Sequence, residues 1–298
     1  MTLAVYLPLV LPLLVAVAAR HAIDRARPRA AVAGLVTAAV LAAAATIWSL
    51  LLLFLTLFDD LPPMVATNAR TGMVLPEPVP DGVAVTALVV LAIVLFRLAR
   101  DLSFRRTAAR RLRNAGPSAG GVVVADWAEP LAVAVPGRPG EILLTTGMLR
   151  VLDAAERRAV LAHERAHLAH RHHTAVLLAG AAAAVNPLLR PARDAVIYLV
   201  ERWADEDAAR GVGDRDLVAR AVARAALATA GHPVAAPAPA LGMHGGVIVR
   251  RVHALHSPPP AAARWQLALL AAVAIACLAL EASATASFVG VLRTWLTG

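Results

Sequence analysis

The chain has 298 residues, 59% of them hydrophobic and 16% charged, with a mean hydropathy of +0.66, which excludes an ordinary soluble domain and points to membrane spans. Every basic residue is arginine, and the formal net charge of +9 gathers beside apolar runs, as in loops held on one side of a membrane, so no direct nucleic-acid binding is expected. The single cysteine, Cys277, leaves neither a disulfide framework nor a cysteine-ligated metal, and any metal must use His and carboxylate.

Residues 3–19 are apolar and about the shortest length that crosses a bilayer as a helix. Arg20, Arg25, Arg27 and Arg29 follow this run instead of preceding it, which predicts a retained anchor and not a cleaved signal peptide. A second span is predicted over 31–58 and a third over 83–99, with Arg97 near enough to the end to snorkel. The Pro-rich loop between them, 59–82, carries Asp59, Asp60, Glu77 and Asp81 against Arg70 alone, whereas 20–30 and 100–113 are rich in arginine. Positive-inside counting puts that loop and the N-terminus outside. A fourth span starts after Arg264 and Trp265 and continues through Leu280, with Glu281 near the outer interface and the C-terminus outside. The expected protein is multi-pass, with three transmembrane helices in 1–99, a cytoplasmic domain over 100–263 and a C-terminal transmembrane helix in 264–298.

The region 100–263 contains nine of the ten histidines. It opens with predicted strands Gly121–Ala125, Leu131–Val135 and Ile142–Thr146, separated by Pro130 and by the Pro and Gly residues of 136–140, and then becomes helical. Pro/Ala linkers at 233–240 and 258–263 mark its edges. Asp153 is a predicted N-cap, with Glu156 completing an approximate capping box, for a helix over Ala154–His173. His163 and His167 lie one turn apart on that helix, so both imidazoles can reach one metal ion, while Glu164 points at the water such an ion binds. This HExxH arrangement needs a third ligand. Glu201 supplies it, on a second helix after the breaks at Pro187 and Pro191, and Asp205, one turn on, is placed to accept a hydrogen bond from a ligating imidazole. His170 is the rival, but seven residues rise about 10 Å along a helix, too far for both ends to meet one ion. His170, His172 and His173 are therefore read as exposed or interfacial. The apolar run Ala175–Val185 spans only about 16 Å as a helix and is expected to be buried or to dip into the membrane surface.

With these residues placed, the chain resembles the membrane zinc metallopeptidases of the BlaR/MecR antirepressor type. The resemblance rests on the N-terminal spans, the strands ending Val135-Pro136-Gly137-Arg138-Pro139-Gly140-Glu141-Ile142-Leu143-Leu144-Thr145-Thr146-Gly147-Met148-Leu149, Ala159–Leu168 with its HExxH, Glu201 with Asp205, and Arg251–Leu255. It implies a mostly α protein of four transmembrane helices with an α+β zincin-like domain facing the cytoplasm, in a bacterial inner membrane, without the β-lactam sensor of the signal-sensing members. It implies one Zn2+ per chain and a protein substrate, a cytoplasmic repressor being the family's usual one. HtpX-like quality-control proteases are similar to a lesser degree, since they place membrane spans between the two zinc helices.

In the gluzincin chemistry expected here, zinc polarises the scissile carbonyl and Glu164 is the general base. An exposed edge at Ile142, Leu143, Leu144, Thr145 and Thr146 could receive an extended substrate as an added strand. Tyr198, His253 and His256 are the candidates for stabilising the oxyanion, and the sequence does not choose among them. The opposing function is a non-catalytic membrane scaffold that keeps zinc for structure. Structural sites close with four protein ligands, and the retained Glu164 beside three ligands argues against it.

Overall fold

Between Pro28 and Leu55 the only charge is Arg29, and proline at the first helical position presets the opening turn. In the computed structural model of the protein this stretch is one 28-residue helix at the centre of the molecule. The structure describes residues 5–25, 27–57, 79–113, 118–230, 245–257 and 264–297. Most of the loop expected at 59–82 and both Pro/Ala linkers lie outside the described residues.

Two helices, α1 (Leu7–Val10) and α2 (Pro12–Arg25), lead into α3 (Pro28–Leu55), followed by α4 (Asp81–Arg113). The buried stripe of α3 is largely alanine, including Ala31, Ala38, Ala42 and Ala45, and small residues let neighbouring backbones approach closely. At the other end of the chain α11 (Arg264–Thr297) lies along α3, where Trp48 Nε1 donates to Thr285 Oγ1 at 2.9 Å and Ser49 Oγ donates to Glu281 Oε1 at 3.3 Å. Glu281, expected near the outer interface, instead sits within the apolar stretch, where a carboxylate needs the hydroxyl that Ser49 provides.

Among the described residues three helices are long and apolar enough to cross a membrane: Pro28–Leu55, Asp81–Ala108 and Leu270–Gly290. The run expected as a first span forms the shorter apolar helix Leu7–His21, about 22 Å against a hydrocarbon core of about 30 Å. Its Val15 and Ala19 are buried and its Leu13, Leu14 and Val17 are exposed.

The remaining elements form the domain beside these helices. Strands β1 (Ser118–Ala119), β2 (Val122–Ala125), β3 (Ala132–Val135) and β4 (Glu141–Thr145) make one sheet in the order β1-β2-β4-β3, with β2 and β4 parallel and β3 antiparallel to β4. Then come α5 (Thr146–Val151), α6 (Ala154–Ala169), α7 (His172–Val185), a 3-10 turn at Pro187–Leu189, α8 (Arg190–Val212), α9 (Arg215–Ala230) and α10 (Gly245–His256). Leu143, Leu144 and Met148 are almost wholly buried, and each such side chain contributes about 1.5–3 kcal/mol. Gly147 lies against the Ala128 carbonyl where a Cβ has no room, which draws the start of α5 onto the 127–129 loop.

The capping box of α6 is present, with Asp153 accepting from the Ala155 and Glu156 amides and Glu156 accepting from the Asp153 amide. The helix ends at Ala169, short of the predicted His173, because Arg171 takes a left-handed conformation at φ 51° and turns the chain into α7. The hairpin of α7 and the first half of α8 packs into the same apolar core as α2 and α3, through Ala179, Ala183, Leu189, Ala195 and Leu199. At its tip Asn186 accepts from the Leu188 amide and donates to Thr46 Oγ1 of α3. Within this segment Ala179, Ala182, Ala183 and Val185 are buried, and the 14-residue α7 rises about 21 Å.

Candidate metal centre

Helices α6 and α8 pack against each other, and their facing side chains converge. His163 Nε2 and His167 Nε2 stand 3.0 Å apart, Glu201 Oε2 is 3.5 Å from His163 Nε2, and Glu201 Oε1 is 3.6 Å from His167 Nε2. A tetrahedral ion with bonds of about 2.0–2.1 Å sets its ligand atoms about 3.3 Å apart, which these three separations bracket. Two imidazole nitrogens and one carboxylate also make a donor set suited to zinc with a fourth position left open. Among the described residues this is the one group of three that could hold a metal ion.

The field at that point calls for a cation. Burial opposes a proton on His163, yet the carboxylates of Asp205 and Glu201 outweigh it and raise the ring's pKa to about 10. His167, which lacks so close a carboxylate, is pushed down to about 4 by burial, with the His163 and Arg251 charges acting the same way. Asp205 Oδ1 lies 2.9 Å from His163 Nδ1, a distance of strong charge attraction although the ring is off the line of a good hydrogen bond. His167 Nδ1 has a different support, His172 Nδ1 at 3.1 Å.

Glu164 faces the sheet. Its Oε2 accepts the Ala134 amide hydrogen at 2.7 Å, so the edge strand holds the carboxylate beside the cluster. Burial, helped by the Glu201 charge, pushes its pKa up to about 7, against the pull of His163, the Ala134 amide and Arg251. A carboxylate with a pKa near neutrality suits proton transfer in both directions.

Arg251, on α10, closes the site from the far side. Its Nε and Nη2 reach the two oxygens of Asp205 at 2.8 and 2.7 Å, and its Nη1 lies 3.0 Å from Glu201 Oε2. Burial alone would favour neutral acids, but the guanidinium holds Asp205 at about 2 and keeps Glu201 well below the ordinary carboxylate range.

The structure brings His163, His167, Glu201, Asp205 and Glu164 together. Tyr198 is buried one turn before Glu201, with the Arg250 guanidinium 4.7 Å above its ring. His253 and His256 are exposed, and His256 Nδ1 lies 3.1 Å from Asp216 Oδ1. Ile142, Leu143, Leu144 and Thr145 are not an exposed edge: β4 is paired on both sides and buried, as an unbroken apolar strand should be, and Thr146 begins α5. The edge nearest the cluster is β3. His170 is exposed and bound to Asp207 at 2.5 Å, while His172, expected at the surface, is buried behind His167. Sequence reasoning assigned no role to Arg251, His172 or the Ala134 amide. Two carboxylates on one helix face require a cation, but nothing in the sequence says which arginine supplies it.

Residues 99–190 match the pattern of peptidase family M48, a stretch that takes in the sheet, His163, Glu164 and His167 and stops short of Glu201. The match supports a metallopeptidase and carries nothing specific to the antirepressor type. No curated protein and no solved structure matches the chain.

Proposed function

We propose that the protein is a membrane-bound zinc endopeptidase of the gluzincin type, with His163, His167 and Glu201 as ligands and Glu164 as general base. The observation that carries this is a buried carboxylate, fixed by the edge strand, next to three converging ligand atoms. Bound zinc supplies a Lewis acid that polarises the scissile carbonyl and acidifies the attacking water. Glu164 takes the proton from that water and delivers it to the departing amine. Asp205 orients His163, His172 backs His167, and Arg251 keeps Glu201 and Asp205 ionised. In the β3 to β4 register Val133 and Val135 bond inward, so Ala132 and Ala134 turn their backbone groups outward, where an extended peptide could add as a strand.

The arginine bias favours a cytoplasm-facing active site, and the antirepressor resemblance favours cleavage of a cytoplasmic repressor. One observation favours a second substrate class, membrane proteins handled by an HtpX-like quality-control protease: the hairpin between the zinc helices enters the core formed by the spans. Glu164→Gln keeps size and removes the base, so zinc should remain while cleavage of a co-expressed repressor or misfolded membrane substrate falls by about 10²–10⁴. Equal cleavage by both forms would remove Glu164 from the mechanism.

A further inference from the structure

Away from the metal cluster, the charged end of α4 and the tip of the α7–α8 hairpin enclose an open cavity of about 570 Å3. Arg97, Arg100 and Arg105 from α4 and Arg190 and Arg193 from the start of α8 line it, and Asp101 is the one acid among the lining residues. Asp101 is taken by Arg105 at 2.7 Å, and Arg193 is held by Asp194 at 2.7 Å. Arg97, Arg100 and Arg190 have no acidic partner among the described residues. Like charges drawn into one cavity repel unless an anion joins them. The start of α8 adds a smaller pull, because its own first turn holds no acid and Leu189 offers no side-chain cap, while Asn186 caps the 3-10 turn leading into it and Asp194 follows as its fifth residue. Gly180 forms part of the floor, and a Cβ there would collide with the Arg105 guanidinium.

The position of the cavity indicates where the anion comes from. Arg97 and Arg100 stand where the apolar stretch of α4 gives way to charge, the depth at which arginines meet headgroups. Ile93, Phe96 and Phe104 are exposed and share the helical face of Arg100 at spacings of three and four residues, so an apolar track leads from the cavity along the span. We propose that the cavity binds the phosphate of an anionic phospholipid, gripped by the forks of Arg97, Arg100 and Arg190, with an acyl chain lying along Ile93 and Phe96.

The test uses the full-length chain purified in detergent, with native mass spectrometry of phosphatidylglycerol, phosphatidylcholine and inorganic phosphate binding. Wild type should retain phosphatidylglycerol over phosphatidylcholine, and Arg97→Gln/Arg100→Gln/Arg190→Gln should weaken that retention by at least about tenfold, while Arg150→Gln, an exposed arginine on α5, leaves it unchanged. Thermal melting checks that the triple variant is folded, and Arg190→Gln alone serves if it is not. Equal retention by wild type and variant, or equal retention of the two lipids, overturns the proposal. Inorganic phosphate binding as tightly as phosphatidylglycerol would keep the anion site and overturn its lipid source. The readout does not involve peptide hydrolysis, so its failure leaves the metallopeptidase reading untouched.

Discussion

At Arg251 one guanidinium satisfies Asp205 on both oxygens and Glu201 on one, in a place water scarcely reaches. Removing one partner from such a buried set leaves uncompensated charge, so Arg251→Met is expected to lower unfolding stability by about 3–5 kcal/mol, measured by denaturation in detergent. Arg251→Lys should recover little, because an ammonium cannot reproduce the fork. Among the histidines, His163→Ala and His167→Ala should lose bound zinc, as should Glu201→Ala, whereas His170→Ala should keep it. His172→Ala should weaken zinc about 10–100-fold by releasing the far nitrogen of His167. Metal analysis of the purified variants decides, and near-stoichiometric zinc in Glu201→Ala would end the assignment. The convergence of His163, His167 and Glu201 was legible in the sequence because residues four apart on a helix must share a face, and Glu201 and Asp205 obey the same arithmetic. Arg251 was not, since nothing local distinguishes the arginine that turns inward from the many that stay in solvent. His172 was hidden by a helix break at Arg171 that no glycine announces.

The elements tell a similar story about what sequence patterns reach. Three predicted strands and the cap of α6 emerge within a residue or two of where their punctuation put them, since turns and caps are local chemistry. Which strand forms the edge is a question of sheet order, and the parallel pairing of β2 with β4 moved it from β4 to β3. A substitution at β3 tests the consequence. Ala134→Pro deletes the amide that holds Glu164 on the outward side of an edge strand, where proline is tolerated. Hydrogen bonds to charged groups are worth about 1.5–3 kcal/mol, so turnover should fall by roughly 10- to 100-fold with zinc content unchanged. Loss of zinc along with activity would show that the strand supports the metal cluster itself.

For the whole molecule, hydropathy located the long apolar helices but not how their neighbours use them. The N-terminal run read as a span is a shorter helix packed beside α3 and α8, a relation that no window over the sequence contains. The arginine bias of 20–30 and 100–113 still predicts that a reporter fused at Asn114 lies in the cytoplasm, and an extracytoplasmic signal there would put the active site in the wrong compartment for a repressor. The helix that carries Glu201 begins among the bilayer helices, with Leu189, Ala192, Ala195, Val196 and Leu199 all at 0% exposure. The candidate metal cluster and the apolar helices are therefore one piece of masonry: a fragment cut to 100–263 would expose that apolar face to water and leave Glu201 without its foundation. Such a fragment should aggregate on expression, whereas the full chain extracted in detergent should elute as a single species in gel filtration.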